Sequence, residues 1–146
     1  MLPLLDDDIL ETGFCWGQYQ LRIDETCRLR LCKEIVVGLA ERKITRLWRY
    51  PDPDGERFVL CPSEHQTTFF NAVRLRLQDL PDAEDRFRLL FSGKDAAIDR
   101  QGRIKILRAC LERAHIEPPQ QVTVLGVGLW YEVTAWRLSK GRSPDE

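Results

Sequence analysis

The alternation of apolar and polar residues predicts a pair of short strands around a polar turn in each half of the chain. Residues 19–31 alternate on both sides of the polar stretch 25–27, and residues 97–106 do the same around 100–102. A period of two is typical of strands with one buried face. The connections are short and polar, and one of them contains Gly102, which favours a tight turn. The sequence therefore predicts two β-hairpins.

A longer hydrophobic period follows each predicted hairpin. Apolar residues recur three and four positions apart in residues 33–42 and 107–115, as they do on one face of a short helix. Strand-like segments then return in both halves and continue past a turn. These segments are residues 44–50 and RFVLCP in the first half, and residues 122–127 and LWYEV in the second. Each half is thus predicted to be a hairpin, a helix and a second hairpin.

The predicted fold is α+β and mainly β, with two pseudo-symmetric hairpin-helix-hairpin units that share a small β-barrel core. Units much shorter than about 60 residues are marginally stable alone, which favours a shared core. Between the units, residues 63–80 and 83–91 are predicted helices that meet near Pro81. The predicted boundaries are a first repeat at 14–65, a helical connector at 66–91, a second repeat at 92–138, and flexible termini at 1–13 and 139–146.

Each predicted hairpin contains the same phrase, IDETCRLRL at residues 23–31 and IDRQGRIKI at residues 98–106. An aspartate closes the first strand, an arginine follows four positions later, and a second basic residue comes two positions after that. Asp24, Asp99 and Gly102 are candidates for shaping the turns. An exposed Asp-Arg pair is often no more than a surface ion pair worth about 0–1 kcal/mol, and this alternative stays open.

The basic residues are concentrated around the two repeated phrases, although the 146-residue chain has a formal net charge of −1. Residues 20–50 contain eight lysines and arginines against four acids, and residues 99–115 contain five against two. A local basic patch attracts polyanions even when the net charge is small, and guanidinium groups bond to phosphate oxygens and to guanine edges. The candidate DNA-binding residues are Arg28, Arg30, Arg103 and Lys105, supported by Arg22 and Arg100.

Two segments of the second half, LLFSGKDAAIDRQGRIKI at 89–106 and QVTVLGVGLWYEV at 121–133, resemble segments of a known family, MraZ. The first is similar to that family's Phe-Ser-Gly run leading into Asp-x-Gln-Gly-Arg, and the second is similar to its closing hairpin. In the first half, WGQYQLRID keeps the family's Gly and Tyr ahead of Asp24, and RFVLCP resembles the second hairpin. The resemblance covers about residues 16–136.

The resemblance implies two copies of the SpoVT/AbrB-type swapped-hairpin unit, and so an AbrB/MraZ-like fold. MraZ proteins are bacterial transcriptional regulators, typically repressors at the promoter of the division and cell-wall gene cluster, which bind short direct DNA repeats as ring-like homo-oligomers. For this chain the resemblance implies sequence-specific binding of double-stranded DNA, self-association, and a cytoplasmic, nucleoid-associated location. Arg28 and Arg103 would be its DNA-contacting arginines.

The first copy departs from the MraZ pattern in its turn. Thr26-Cys27 replaces the family's Lys-Gly, and Cys32 and Leu107 stand where the family commonly has proline. The lost lysine removes a phosphate contact, and the lost glycine is expected to alter the turn backbone. We therefore expect Arg28 to contribute less to DNA binding than Arg103 does.

Other chemistry has weaker support in the sequence. The five cysteines are irregularly spaced and contain no Cys-x-x-Cys pair that could bind zinc together with His65 or His115. No local motif marks one of them as a nucleophile with either histidine as its base. No apolar run reaches the length of a membrane span. We expect no enzymatic activity, metal, cofactor, small-molecule substrate or membrane partner. The alternative function is that of an antitoxin-like or oligomer-forming interaction protein on the same swapped-hairpin scaffold, because fold does not fix function.

Overall fold

The computed structural model describes residues 14–136, and this part of the chain combines eight strands with four α-helices. The strands are β1 (Gln18–Ile23), β2 (Arg28–Arg30), β3 (Arg46–Pro51), β4 (Phe58–Cys61), β5 (Lys94–Ala97), β6 (Arg103–Lys105), β7 (Gln120–Gly126) and β8 (Tyr131–Ala135). The helices are α1 (Lys33–Glu41), α2 (Gln66–Leu77), α3 (Ala83–Phe87) and α4 (Arg108–Arg113). Short 3₁₀ helices occupy Ser63–His65 and Arg88–Ser92. None of these helices is long and apolar enough to cross a membrane.

The eight strands form one antiparallel sheet that curls into a nearly closed barrel. Their order is β5-β3-β4-β8-β7-β1-β2-β6, and the two end strands, β5 and β6, lie beside each other. Exchanging β1 with β5, β2 with β6, β3 with β7 and β4 with β8 maps each pair of neighbours in this order onto another such pair, except that β1–β2 maps onto the two end strands, β5 and β6. The barrel therefore has an approximate twofold symmetry, in which the β2–β6 and β4–β8 pairs map onto themselves.

Strands from the two halves are interleaved around the barrel. β1 pairs along its whole length with β7, from Gln18 opposite Leu125 to Ile23 opposite Gln120, and meets β2 at Ile23 opposite Leu29. In the other half, β5 pairs with β3, and the short strands β2 and β6 pair with each other. In each predicted hairpin the aspartate N–H donates to the carbonyl of the arginine four positions later, at 2.9 Å. The longer pairings of β1 and β5 are with β7 and β3.

The barrel interior forms the main hydrophobic core. Inward-facing side chains of the strands pack there against the buried faces of α1 and α4, and the cluster includes Ile23, Leu29, Ile35, Leu39, Leu47, Ile104, Cys110 and Val124. A second cluster lies on the other face of β3 and β4, where Tyr50 and Val59 pack with Phe69 of α2 and with Trp130. The α2–α3 connector thus covers the side of the barrel formed by β3 and β4. In the strand order β2 and β6 stand at the other end.

A buried arginine bridges the gap between the two end strands. Arg49 of β3 is 5% exposed, and its guanidinium lies against both β5 and β6. Nε donates to the Lys94 carbonyl at 3.2 Å and Nη2 to the Asp95 carbonyl at 3.1 Å, both on β5. Nη1 donates to the Lys105 carbonyl on β6 at 2.7 Å. Since β5 and β6 are not paired by a backbone ladder, the Arg49 side chain supplies hydrogen bonds that link them.

The predicted mixture of short helices with a β-barrel core is confirmed, and the helices and strands occur in the predicted order. The division into repeats at 14–65 and 92–138 with a connector at 66–91 stays a prediction. The termini predicted to be flexible, 1–13 and 139–146, lie outside the described residues, as do the last two residues of the second repeat.

Replacing Arg49 by methionine is expected to lower the free energy of unfolding by about 2–4 kcal/mol. The change leaves three carbonyl oxygens without their charged donor, and hydrogen bonds to charged groups are worth about 1.5–3 kcal/mol each before relaxation. The matched control is Arg46→Ala on the same strand, which removes only the solvent-screened Arg46–Asp95 ion pair and should destabilise the protein much less. Urea denaturation of the two variants measures the difference; equal losses would show that Arg49 does not link the end strands.

Candidate nucleic-acid interface

The β2–β6 pair brings the basic residues of the two repeated phrases together on the outside of the barrel. In its register Arg28 lies opposite Lys105, Leu29 opposite Ile104, and Arg30 opposite Arg103. Leu29 and Ile104 are fully buried, so their neighbours on each strand point outward. Like charges directly opposite each other are destabilising, and here two such pairs are adjacent. We call these four side chains the cationic face.

The two supporting arginines lie at the edges of the cationic face. Arg22 is exposed near the end of β1, and the pairing of Ile23 with Leu29 places it beside Arg30. Arg100 is exposed in the second turn. The pairing therefore puts Arg22 beside the cationic face, and the chain puts Arg100 next to Gln101, whose carbonyl accepts from Arg30.

Each turn is held by its aspartate in the same way. Asp24 Oδ1 accepts hydrogen bonds from the backbone N–H groups of Thr26 and Arg28 at 2.9 and 3.0 Å, and from the Thr26 hydroxyl. These bonds, that from the hydroxyl first, hold the pKa of Asp24 below its usual value. Asp24 therefore fixes the direction in which β2 leaves the turn.

In the second turn, Asp99 Oδ1 accepts from the backbone N–H groups of Gln101 and Arg103, both at 2.9 Å. The bond from the Arg103 backbone is the largest cause of a lowered pKa for Asp99. Asp99 Oδ2 also accepts from Arg103 Nε at 3.1 Å. The second aspartate therefore holds both the turn backbone and the side chain of its arginine.

The first turn keeps the backbone of the second without its glycine. Cys27 has φ +63° and Gly102 has φ +77°, both left-handed. Each backbone N–H donates to the aspartate carbonyl three positions earlier, at 2.9 Å for Cys27 and 3.0 Å for Gly102. The expectation that losing glycine alters this turn is wrong, because Cys27 adopts the conformation that glycine would take. The cost is strain at one residue of about 1–2 kcal/mol.

The second basic residue of each phrase bonds to the turn of the other phrase. Arg30 Nη1 donates to the Gln101 carbonyl at 3.1 Å, and Lys105 Nζ donates to the Thr26 carbonyl at 2.8 Å. Two backbone bonds reinforce this exchange, from Leu31 N to the carbonyl of Gly102 and from Ile106 N to that of Cys27, both 2.8 Å long. The two turns are therefore one connected unit.

The cations of this region divide into bonded and unbonded groups. Arg103, with its side chain 28% exposed, lies between Asp99 and Asp24, whose Oδ2 is 3.8 Å from its Nη1. The side chains of Arg22, Arg28 and Arg100 make no hydrogen bond or ion pair within residues 14–136. Their guanidinium groups therefore have their donors available to a ligand on this face.

Three of the five cysteines have buried thiols. The thiols of Cys15, Cys61 and Cys110 are buried, which raises their pKa, to about 12 for Cys15 and Cys110. A thiol in that state is a poor nucleophile. Over the described ranges of the chain, no three His, Cys, Asp or Glu side chains are grouped as a metal site would require.

Two contributors to the site were missed at the sequence level. Thr26 replaces the lysine of the MraZ pattern. Its hydroxyl donates a hydrogen bond to Asp24, and its carbonyl accepts one from Lys105. Arg49 holds the Lys105 carbonyl from inside the barrel. Thr26 could have been found as an Asp-x-Thr turn, a known local motif. Nothing in the pattern around Arg49 indicates that it points inward.

Comparison with known proteins finds no matching family model and no matching curated protein.

Replacing Cys27 by glycine is expected to raise the free energy of unfolding by about 0.5–1 kcal/mol. Glycine removes the left-handed strain at this position, although it also makes the unfolded chain more flexible. The converse change, Gly102→Ala, should destabilise the protein, because a Cβ there would lie 3.2 Å from Val36 Cγ2 and the backbone remains left-handed. Denaturant titration of both variants is the measurement. A destabilising Cys27→Gly would mean that its side-chain packing outweighs the backbone strain.

The lowered pKa values of Asp24 and Asp99 predict a stability that falls in acid. Each carboxylate stabilises the folded state above the unfolded pKa of about 3.9, and this contribution is lost as pH falls through the lower folded pKa. In the Asp24→Asn, Asp99→Asn variant the decline below about pH 4 should be shallower than in the wild type. Urea midpoints at pH 7 and pH 3 test this, and parallel declines would exclude these two groups as the cause.

Proposed function

We propose that this protein is a sequence-specific regulator of transcription that binds double-stranded DNA through the cationic face, acting as a repressor in the cytoplasm at the nucleoid. The observation that carries the proposal is the pairing of Arg28 with Lys105 and of Arg30 with Arg103. Like charges facing each other in register are unfavourable, and Asp24 and Asp99 pair only with Arg103 among these four residues, so a further anion would stabilise the face. A duplex, with one phosphate charge per about 1.7 Å of axis, is such an anion.

A more specific form of the fold accompanies this proposal. We interpret the two halves as SpoVT/AbrB-type swapped-hairpin units arranged as in MraZ. The interleaved strands and the approximate twofold symmetry support this interpretation, together with the resemblance of residues 89–106. Such a pair of turns resembles the β-ribbon readers, which place two strands in a DNA groove. By the same resemblance the protein assembles into a ring-like homo-oligomer on repeated promoter sites of the division and cell-wall cluster.

The proposal predicts a salt-dependent affinity whose slope depends on the free arginines. If Arg22 and Arg100 each contact one phosphate, replacing both by alanine should reduce the magnitude of the slope of log affinity against log salt by about 1.8. The control removes the same charge elsewhere: Arg86→Ala, Arg88→Ala on the connector, whose side chains pair with Asp82 and Asp85. Fluorescence anisotropy with labelled duplexes at four salt concentrations gives both slopes.

Selection of bound sequences from random duplex DNA is the companion experiment. A regulator yields a repeated motif, and the Arg22→Ala, Arg100→Ala variant binds that motif less tightly than the connector control does. Equal slopes for the two variants would remove these arginines from the interface. Failure of the wild-type protein to bind any duplex at low salt would reject the proposed function.

A second candidate function has one observation in its favour. The connector carries an exposed groove of about 280 Å³, in which Phe91 is 76% exposed. Its lining is half apolar and half polar or charged: Leu77, Ala83, Phe87 and Phe91, with Arg74, Gln78, Glu84 and Arg88. Exposed aromatic residues of this kind are common where proteins meet. An antitoxin-like or oligomer-forming interaction protein would use this groove and would yield no motif in the selection from random DNA.

A further inference from the structure

The helical connector exposes apolar side chains next to basic ones. Three of the six large apolar side chains that are exposed within residues 14–136 belong to it, and these are Leu75, Leu80 and Phe91. Phe91 lines the groove between α2 and α3, together with two arginines and one glutamate. Helix α2 itself contains two arginines and no acidic residue. A surface of this composition suits a segment that is both apolar and acidic.

Arg74, at the groove, has no carboxylate partner within residues 14–136. Its Cζ lies 4.8 Å from the centroid of the Phe87 ring, which is a cation–π contact. The other three arginines of the connector each lie within 4.0 Å of an aspartate. The Arg74 guanidinium therefore remains available to a carboxylate that comes from outside the described residues.

Residues 1–13, with the sequence MLPLLDDDILETG, have the composition that this surface suits. They contain four acids and no base, and the acidic run Asp6–Asp8 stands between two pairs of large apolar residues. The segment at the other end of the chain, residues 137–146, contains three basic residues and two acids, and Leu138 is its one large apolar residue. Charge and hydrophobicity thus favour residues 1–13 as the occupant of the groove.

The first described residue lies beside the start of α2. The ring of Phe14 is 6.1 Å from that of His65, which directly precedes this helix. Arg74 follows His65 by nine residues, which is about 13 Å along a helix axis. The acidic run precedes Phe14 by six to eight residues, which span about 20–26 Å when extended. The run is therefore long enough to reach Arg74 within one chain.

We propose that residues 1–13 dock in the groove of the connector, with Asp6–Asp8 facing Arg74 and the flanking apolar residues packed against Phe87 and Phe91. The occupant of the groove is then a segment of the same chain, and any protein partner has to displace it. The inference is independent of DNA binding, because no residue of the cationic face lines the groove.

Cleavage after Glu11 by a glutamate-specific protease tests the docking in the full chain. A docked segment is cut only while it is undocked, so its cleavage rate relative to that of a synthetic peptide of residues 1–16 reports the undocked fraction. In the variant with Asp6–Asp8 all replaced by asparagine, the relative rate should rise by about threefold to tenfold, as for the loss of two or three exposed ion pairs. High salt should raise the wild-type rate in the same direction.

Two variants test the groove itself, Arg74→Gln and Phe91→Ser. Both side chains are exposed, so the fold should be retained, which circular dichroism checks. Each variant should raise the relative cleavage rate by about twofold to fivefold, as for the loss of one exposed contact. The matched control is Asp145→Asn, Glu146→Gln, which removes acids from the other end of the chain and should leave the wild-type rate.

Three results would overturn the inference. The first is cleavage of the wild-type chain at the rate of the free peptide. The second is faster cleavage in the Arg22→Ala, Arg100→Ala variant while Arg74→Gln keeps the wild-type rate, which would place the segment at the cationic face. The third is a relative rate that rises on dilution, which would assign the segment to the groove of a second copy. None of these results bears on the binding of duplex DNA, which fluorescence anisotropy measures separately.

Discussion

The hydrogen bonds of the Arg49 guanidinium hold together the part of the barrel where the backbone ladder is interrupted. The approximate twofold symmetry places Val124 of β7 at the position equivalent to Arg49. Val124 pairs with Tyr19 as Arg49 pairs with Lys94. Tyr19 and Lys94 each lie the same number of residues before the aspartate of their phrase. Burial lowers the pKa of Arg49, yet a guanidinium remains charged, so its carbonyl partners must replace the lost water. One of those carbonyls belongs to Lys105, and the barrel interior thereby helps to position the cationic face.

Interleaving explains why the cations cluster at all. β2 meets β1 at one residue pair but pairs with β6 along its whole length, which brings two basic segments into register. The repulsion between these cations lowers the stability of the folded state. Burial of Leu29 and Ile104 opposes it, because truncating one such buried side chain to alanine costs about 2–5 kcal/mol. The charge arrangement is therefore a consequence of topology.

Periodicity predicted the elements well because burial of one face is a local property of each segment. The alternation at residues 19–23 and the spacing at 33–42 gave a strand and a helix whose ends differ by few residues from those observed. Five of the six candidate basic residues lie in one phrase and its copy, and Arg22 directly precedes the first. The pairing of the strands could not be predicted from the sequence. The hydrophobic period shows which face of β1 is buried, but it does not show that β7 lies beside β1. Arg49 shows the same limit. An arginine in a strand is predicted to face solvent, and only the three-dimensional structure shows the carbonyl groups that let it be buried.

The replacement of glycine by Cys27 in the first turn has little effect on the surrounding backbone. Left-handed strain at Cys27 of about 1–2 kcal/mol opposes the two backbone hydrogen bonds that this residue makes, to the Asp24 carbonyl and from Ile106 N, which together contribute about 1–3 kcal/mol. The two effects nearly balance at Cys27 itself, so the side chains decide the outcome. Asp24 and Thr26 add three further bonds to the same turn, and Lys105 adds one from the other phrase. The backbone therefore stays in place, and with it the direction of Arg28. What separates the two phrases is the placement of the second carboxylate oxygens, which satisfy Arg103 and leave Arg28 available.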